Sequence, residues 1–259
     1  MIEKISVLVM LVVLVVSYAY FIQKGKGPNP AQIRRIPALD AVDEAVARAV
    51  EMERPVLCIP GWGRILDLEM FPESMAGIST LNYVARLTAR YGAELISTIR
   101  FPAMLPYAED TVEQAYIAEG KRDEFKRSEM VRYITSDQVP YYTHVMGLVA
   151  RERPAASIMI GYFSGGVMQI CEPGRSVGSL QIGGCASNVA ILPYFIITCD
   201  YVLMSEEVYA AGAYLTKDPE MMAGTVCGDV NKLIAIILLL IGTLFAYVRN
   251  DLLFELLRM

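Results

Sequence analysis

The sequence predicts an α/β protein, a mainly parallel sheet of about five strands with helices on both faces, flanked by one transmembrane helix at each end. Two observations predict it. Short, continuously apolar segments bounded by Gly or Pro alternate with segments of helical periodicity, the pattern of strands buried on both faces. Apolar residues make up 54% of the 259 and mean hydropathy is +0.40, the excess lying in two runs, Ile5–Ile22 and Leu233–Val248.

These runs divide the chain into an N-terminal anchor (1–26), a globular domain (27–230) and a C-terminal span with a short tail (231–259). The first run carries no charge and would measure about 27 Å as a helix, close to the roughly 30 Å of hydrocarbon in a bilayer. A cleaved signal peptide is the competing reading, because Ser17-Tyr18-Ala19 imitates a cleavage site. The apolar stretch continues past it through Tyr20, Phe21 and Ile22, which favours an uncleaved anchor. The second run is shorter, but Lys232 and Arg249 at its edges can snorkel to the interfaces. A buried core helix is the alternative for either run. Lys24, Lys26, Arg34 and Arg35 follow the first run, against Lys4 before it, so the expected location is a cell membrane with the central domain in the cytoplasm.

Within the domain, Gly25 to Pro30 reads as a linker and Ala38 to Met52 as an amphipathic helix with Leu39, Val42, Ala45, Val46 and Ala49 on one face. Pro55 to Ile59 is a strand, ended by Pro60-Gly61-Trp62-Gly63. Ser74 or Ser79 opens a helix that Gly92 closes, and Ala93 to Ile99 is the second strand. Helices follow over Glu109–Gly120, Glu124–Tyr133 and Val139–Arg151. Ala155 to Phe163 is a strand, and Gly165-Gly166 opens another helix. Ser179 to Ile182 is a strand ended by Gly183-Gly184, and Ala186 to Thr198 an apolar helix containing Pro193. The strand Tyr201–Met204 and the helix Glu206–Leu215 complete the pattern. A third membrane span over Ala186–Met204 is the alternative for that region, opposed by Pro193 and Asp200.

A net charge of −5 argues against nucleic acid as the partner. The five cysteines are widely spaced, with no C-x-x-C pair, and form neither a disulfide framework nor a zinc site. No cofactor or metal is expected, and no P-loop, complete G-x-G-x-x-G or nucleophile-elbow motif is present. The only histidine, His144, reads as a packed or hydrogen-bonded residue more readily than a catalytic one. Ligands of a parallel sheet bind outside the carboxyl ends of the strands. The candidate contacts are therefore the turn glycines Gly61, Gly63, Gly183 and Gly184, the cations Arg64 and Arg100, and the carboxylates Asp200 and Glu206. The glycines equally suit tight turns, and the carboxylates equally suit helix capping.

Gly161-Tyr-Phe-Ser-Gly-Gly, Ser179-Leu-Gln-Ile-Gly-Gly, Leu192-Pro-Tyr-Phe and Cys199-Asp-Tyr, with Glu206-Glu207, Ala213-Tyr-Leu and Asp218-Pro219, resemble an uncharacterised prokaryotic membrane-anchored family catalogued as a domain of unknown function. The chain departs from that pattern in having Cys185 where Thr is usual and Ser205 where Gly is usual. The resemblance implies the architecture and supplies no mechanism. Two functions are expected. One is self-association or scaffolding of a membrane complex, with the lipid bilayer and a second copy or another membrane protein as partners. The other is binding or turnover of a small anionic metabolite or nucleotide at the carboxyl edge of the sheet.

Overall fold

A computed structural model describes residues 12, 15–23, 34–64, 66–216 and 219–247. It divides into two compact units, Arg35–Thr216 and the two ends of the chain.

The larger unit is a doubly wound α/β domain. Its strands are β1 (Val56–Ile59), β2 (Leu95–Ile99), β3 (Val131–Tyr133), β4 (Ala156–Ile160), β5 (Leu180–Cys185) and β6 (Tyr201–Met204). All neighbours pair in parallel, in the order β3-β2-β1-β4-β5-β6. Every residue of β1, β2, β4 and β5 is buried, because helices cover both faces. On one face pack α2 (Pro37–Met52), α3 (Phe71–Tyr91), α4 (Leu105–Ala118) and α9 (Glu206–Thr216). On the other pack α6 (Gln138–Glu152), α7 (Met168–Ser176) and α8 (Leu192–Thr198). A one-turn helix, α5 (Arg127–Met130), leads into β3.

The sheet has six strands where the sequence suggests about five. The added one, β3, lies inside the segment expected to be the helix Glu124–Tyr133. Its three residues pair with Ser97, Thr98 and Ile99 at the sheet edge, which overrides a weak helical pattern. Gly183 and Gly184 are the second correction: they are buried residues within β5, not a turn after it. A Cβ on Gly183 would come within 2.9 Å of Cys199 Sγ and closer still to the Phe195 ring, so the glycine lets α8 lie against the strand. Pro193 stands in the first turn of α8, where a proline costs no hydrogen bond. That helix is seven residues long, and Ala186–Met204 is not a membrane span. Ser205, after β6, has φ 51, a left-handed conformation that glycine adopts without strain.

The smaller unit holds α1 (residues 15–23) and α10 (Pro219–Tyr247). Ser17 Oγ donates to Asn231 Oδ1 at 3.3 Å, joining the two. Among the described residues no helix is long and apolar enough to cross a membrane, which corrects the expectation of a transmembrane helix at each end. The first part of α10 is the polar one, with Asp229, Asn231 and Lys232 ahead of its apolar residues. Residues 5–11, 13 and 14 of the first apolar run, and Val248 of the second, lie outside the described residues. The helix does run uninterrupted through Gly224 and Gly228. A Cβ on Gly224 would lie 3.0 Å from the Tyr18 hydroxyl, whereas Gly228 faces open space.

Candidate functional site

In a sheet of this order, the strand order reverses between β1 and β4, and the loops that leave their carboxyl ends part to form a crevice. Here the two loops meet across it. The Trp62 amide donates to the Tyr162 carbonyl at 2.6 Å. Gly61 has φ +88, and a Cβ there would stand 2.7 Å from the Tyr162 nitrogen, so only glycine permits this approach. The Trp62 side chain turns under the second face and is buried among Tyr141, Tyr142 and Phe163, with ring centroids 6.0, 4.8 and 4.8 Å away. Tyr141, fully enclosed, shares its hydroxyl with Thr98 Oγ1 at 2.8 Å, and burial pushes its pKa up to about 12. The middle of the crevice is thus a packed aromatic floor, and the polar groups lie to either side.

On the β2 side stand Arg64 and Arg100. Arg100 directly follows β2, and its Nε donates to the Ser136 carbonyl at 3.1 Å. Both guanidinium groups lie over the Phe101 ring, 5.1 Å away for Arg64 and 5.0 Å for Arg100. Their centres are therefore no more than about 10 Å apart. Neither forms an ion pair among the described residues; among the arginines that do are Arg35, Arg86, Arg90, Arg122 and Arg127. Two unneutralised cations gathered on one ring have donors to offer an anion.

On the β5 side lies a group that sequence reasoning misses. Glu73, in the first turn of α3, is completely buried. Its carboxylate accepts the Ser187 amide, the Tyr209 hydroxyl at 3.4 Å and the Cys185 thiol at 3.7 Å. It ties the start of α3 to the loop after β5 and to α9. Burial, with Glu73 beside it, pushes the Cys185 thiol up to about 11, so it is held protonated at neutral pH and is no nucleophile. Burial and the same carboxylate raise the Tyr209 phenol. A single Glu within Phe-Pro-Glu-Ser carries little signal. The helix-start pattern of Pro72 followed by an acidic residue was the available clue, and it indicates a cap more readily than a buried node.

The remaining expected contacts do not join either cluster. Gly63 is buried beside Ser74 and Tyr162 and serves the same loop contact as Gly61. Gly183 and Gly184 are sheet residues. Asp200 is at the opposite, amino edge, where its carboxylate accepts the Gln181 amide at 2.8 Å and so aligns β5 with β6. Glu206 is exposed at the start of α9, after the edge strand β6, three strand positions from β1. Its neighbour Glu207 accepts the Met204 amide at 3.2 Å, as a capping residue does. His144 is exposed on α6, not packed. Among the described residues, no three His, Cys, Asp or Glu side chains come together as a metal site.

A family model described as Domain of unknown function (DUF6754) matches residues 1–257. No curated protein and no solved structure matches the chain.

Proposed function

The chain belongs to the DUF6754 family, a domain of unknown function, and we propose that this member binds a small anionic ligand beside the crevice, at Arg64 and Arg100. The observation that carries the reading is the pair of arginines over Phe101, without carboxylate partners among the described residues, at the carboxyl ends of β1 and β2. Other exposed guanidinium groups of the domain pair with acids, as Arg90 does with Glu119 at 3.0 Å, or donate to backbone carbonyls, as Arg48 and Arg175 do, and the Arg64–Arg100 pair differs in sharing one ring. Arg100 is held in place by Ser136, so part of its ordering cost is met before a ligand arrives. Phosphate and carboxylate groups both suit a planar fork of donors.

Calorimetric titration with inorganic phosphate, pyrophosphate and citrate at low ionic strength tests this. Saturable binding of one of them is expected. Arg64→Ala and Arg100→Ala should each weaken it about tenfold, since a hydrogen bond to a charged group contributes roughly 1.5–3 kcal/mol and Arg64 is solvent-screened. Absence of saturable binding by all three anions up to about 10 mM, near the weak end of specific affinities, would overturn the reading.

Self-association is a second reading, favoured by one observation. Val189, Tyr194, Ile196 and Ile197 are exposed on and just before α8, beside the unpaired edge of β6. Sedimentation velocity is expected to show a dimer that Ile196→Glu with Ile197→Glu converts to monomer. A wild-type chain that sediments as a monomer at all concentrations would exclude it.

A further inference from the structure

Under the second face of the sheet, three sulfur atoms gather below β4 and β5. Met159 of β4 and Gly183 of β5 are register partners, about 4.8 Å apart across the sheet. Cys171, on α7, places its Sγ 3.8 Å from Met159 Sδ. Cys199, at the end of α8, occupies the space left by the missing side chain of Gly183, its Sγ 2.9 Å from where a Cβ would stand. The two thiols thus sit over adjacent strands at the same level. The two thiols shift each other's pKa, Cys171 down and Cys199 up, and Thr198 Oγ1 lies 3.9 Å from Cys199 Sγ.

We propose that Cys171 and Cys199 are a reactive dithiol that closes to an intrachain disulfide on meeting a hydroperoxide. The other cysteines offer no such pair. Cys58 lies alone in β1 with its thiol pushed up to about 12 by burial, Cys185 is bound to Glu73, and Cys227 belongs to the other unit. Within the pair the roles differ. Donation from Cys199 and Thr198 lowers the Cys171 pKa below that of an ordinary thiol, while Cys199 is raised. Cys171 is therefore the sulfur that attacks and Cys199 the one that resolves. Cys171 is buried and Cys199 half-buried. The oxidant reaches them by local opening of the short α8, whose outer face is in solvent.

The electron balance is complete with one peroxide. The Cys171 thiolate sulfur attacks a peroxide oxygen and the O–O bond breaks. Sulfenic acid forms at Cys171, and the leaving oxygen takes a proton to become water. The Cys199 sulfur then attacks the sulfenic sulfur. The S–S bond forms, the S–O bond breaks, and the second oxygen leaves as water with the thiol proton. Two thiols lose two electrons and one peroxide gains them. The bond fastens α7 to the end of α8. This inference does not depend on the anion site.

The test is to treat the reduced full-length protein with a small excess of hydrogen peroxide, quench, block free thiols and map peptides by mass spectrometry. The expected product has lost two of its five thiols. It carries a Cys171–Cys199 linkage that dithiothreitol reverses. In Cys199→Ser, which replaces a half-buried thiol by a hydroxyl, the Cys171 sulfenic acid should persist and be captured by dimedone. Five thiols retained at peroxide levels that oxidise a free-cysteine control would overturn the proposal. So would a disulfide between other cysteines, or sulfinic acid at either residue in the wild-type chain without the linkage.

Discussion

Gly77→Ala should lower the unfolding free energy by about 2–3 kcal/mol, although alanine is the better helix former by about 1 kcal/mol. Gly77 lies inside α3, where the helix crosses the ends of β1 and β4. A Cβ there would come within 2.7 Å of the Ile160 carbonyl oxygen and closer still to that of Pro60. Both obstacles are backbone, fixed by strand pairing, so no rotamer change relieves the clash. The helix would have to lift from the sheet, drawing away the loops that meet at Gly61 and Tyr162. Gly92→Ala supplies the comparison. That glycine has φ +76 with nothing within 4 Å, so its loss costs only the left-handed backbone penalty, about 1 kcal/mol. Urea unfolding should therefore rank wild type above Gly92→Ala and Gly92→Ala above Gly77→Ala, with the last midpoint lower by about 1 M. A midpoint raised by Gly77→Ala would mean that α3 does not rest on the strand ends.

Gly77 also shows why part of the site is hidden in the sequence. Dinucleotide-binding folds place a glycine for helix–strand packing a few residues after the turn glycines, and G-x-G-x-x-G detects it. Here residues 64–70 separate Gly61 and Gly63 from α3, so the packing glycine falls beyond the reach of any compact motif. The parallel sheet itself was legible, because β1, β2 and β4 are buried on both faces and read as short, mainly apolar runs. β3 was not: three residues at an edge, of which only Val131 is buried, have neither length nor period. Arg64 and Arg100 could be placed correctly, since a residue just after a strand stays at its carboxyl end. Asp200 was misplaced by the same logic applied too loosely, for it precedes β6 and so belongs to the other edge. Apolar composition suggested transmembrane helices, and among the described residues no helix is long and apolar enough to be one. The buried carboxylate of Glu73 depends on contacts from residues more than a hundred positions away, which no local pattern encodes.

Replacing that carboxylate should have the largest effect of any polar substitution in the domain. Glu73→Ala removes the acceptor of the Ser187 amide and leaves a buried donor unpaired, which costs about 1–3 kcal/mol. It also empties the space beneath Cys185 and Tyr209, and the lost packing adds roughly 1–2 kcal/mol. A total near 3–4 kcal/mol is a large part of the 5–15 kcal/mol that stabilises a typical domain. Glu73→Gln keeps one oxygen for the Ser187 amide and fills the same volume, so about 1 kcal/mol is expected. Tyr209→Phe breaks only the 3.4 Å hydrogen bond of a partly exposed phenol and should cost about 0.5 kcal/mol. The order Glu73→Ala, Glu73→Gln, Tyr209→Phe separates the node from its individual bonds. Hydrogen exchange adds a local readout, because the Ser187 amide should lose protection in Glu73→Ala before the β4 amides do. Equal destabilisation by Glu73→Ala and Tyr209→Phe, with Ser187 still protected, would show that the loop after β5 is held by something other than this carboxylate.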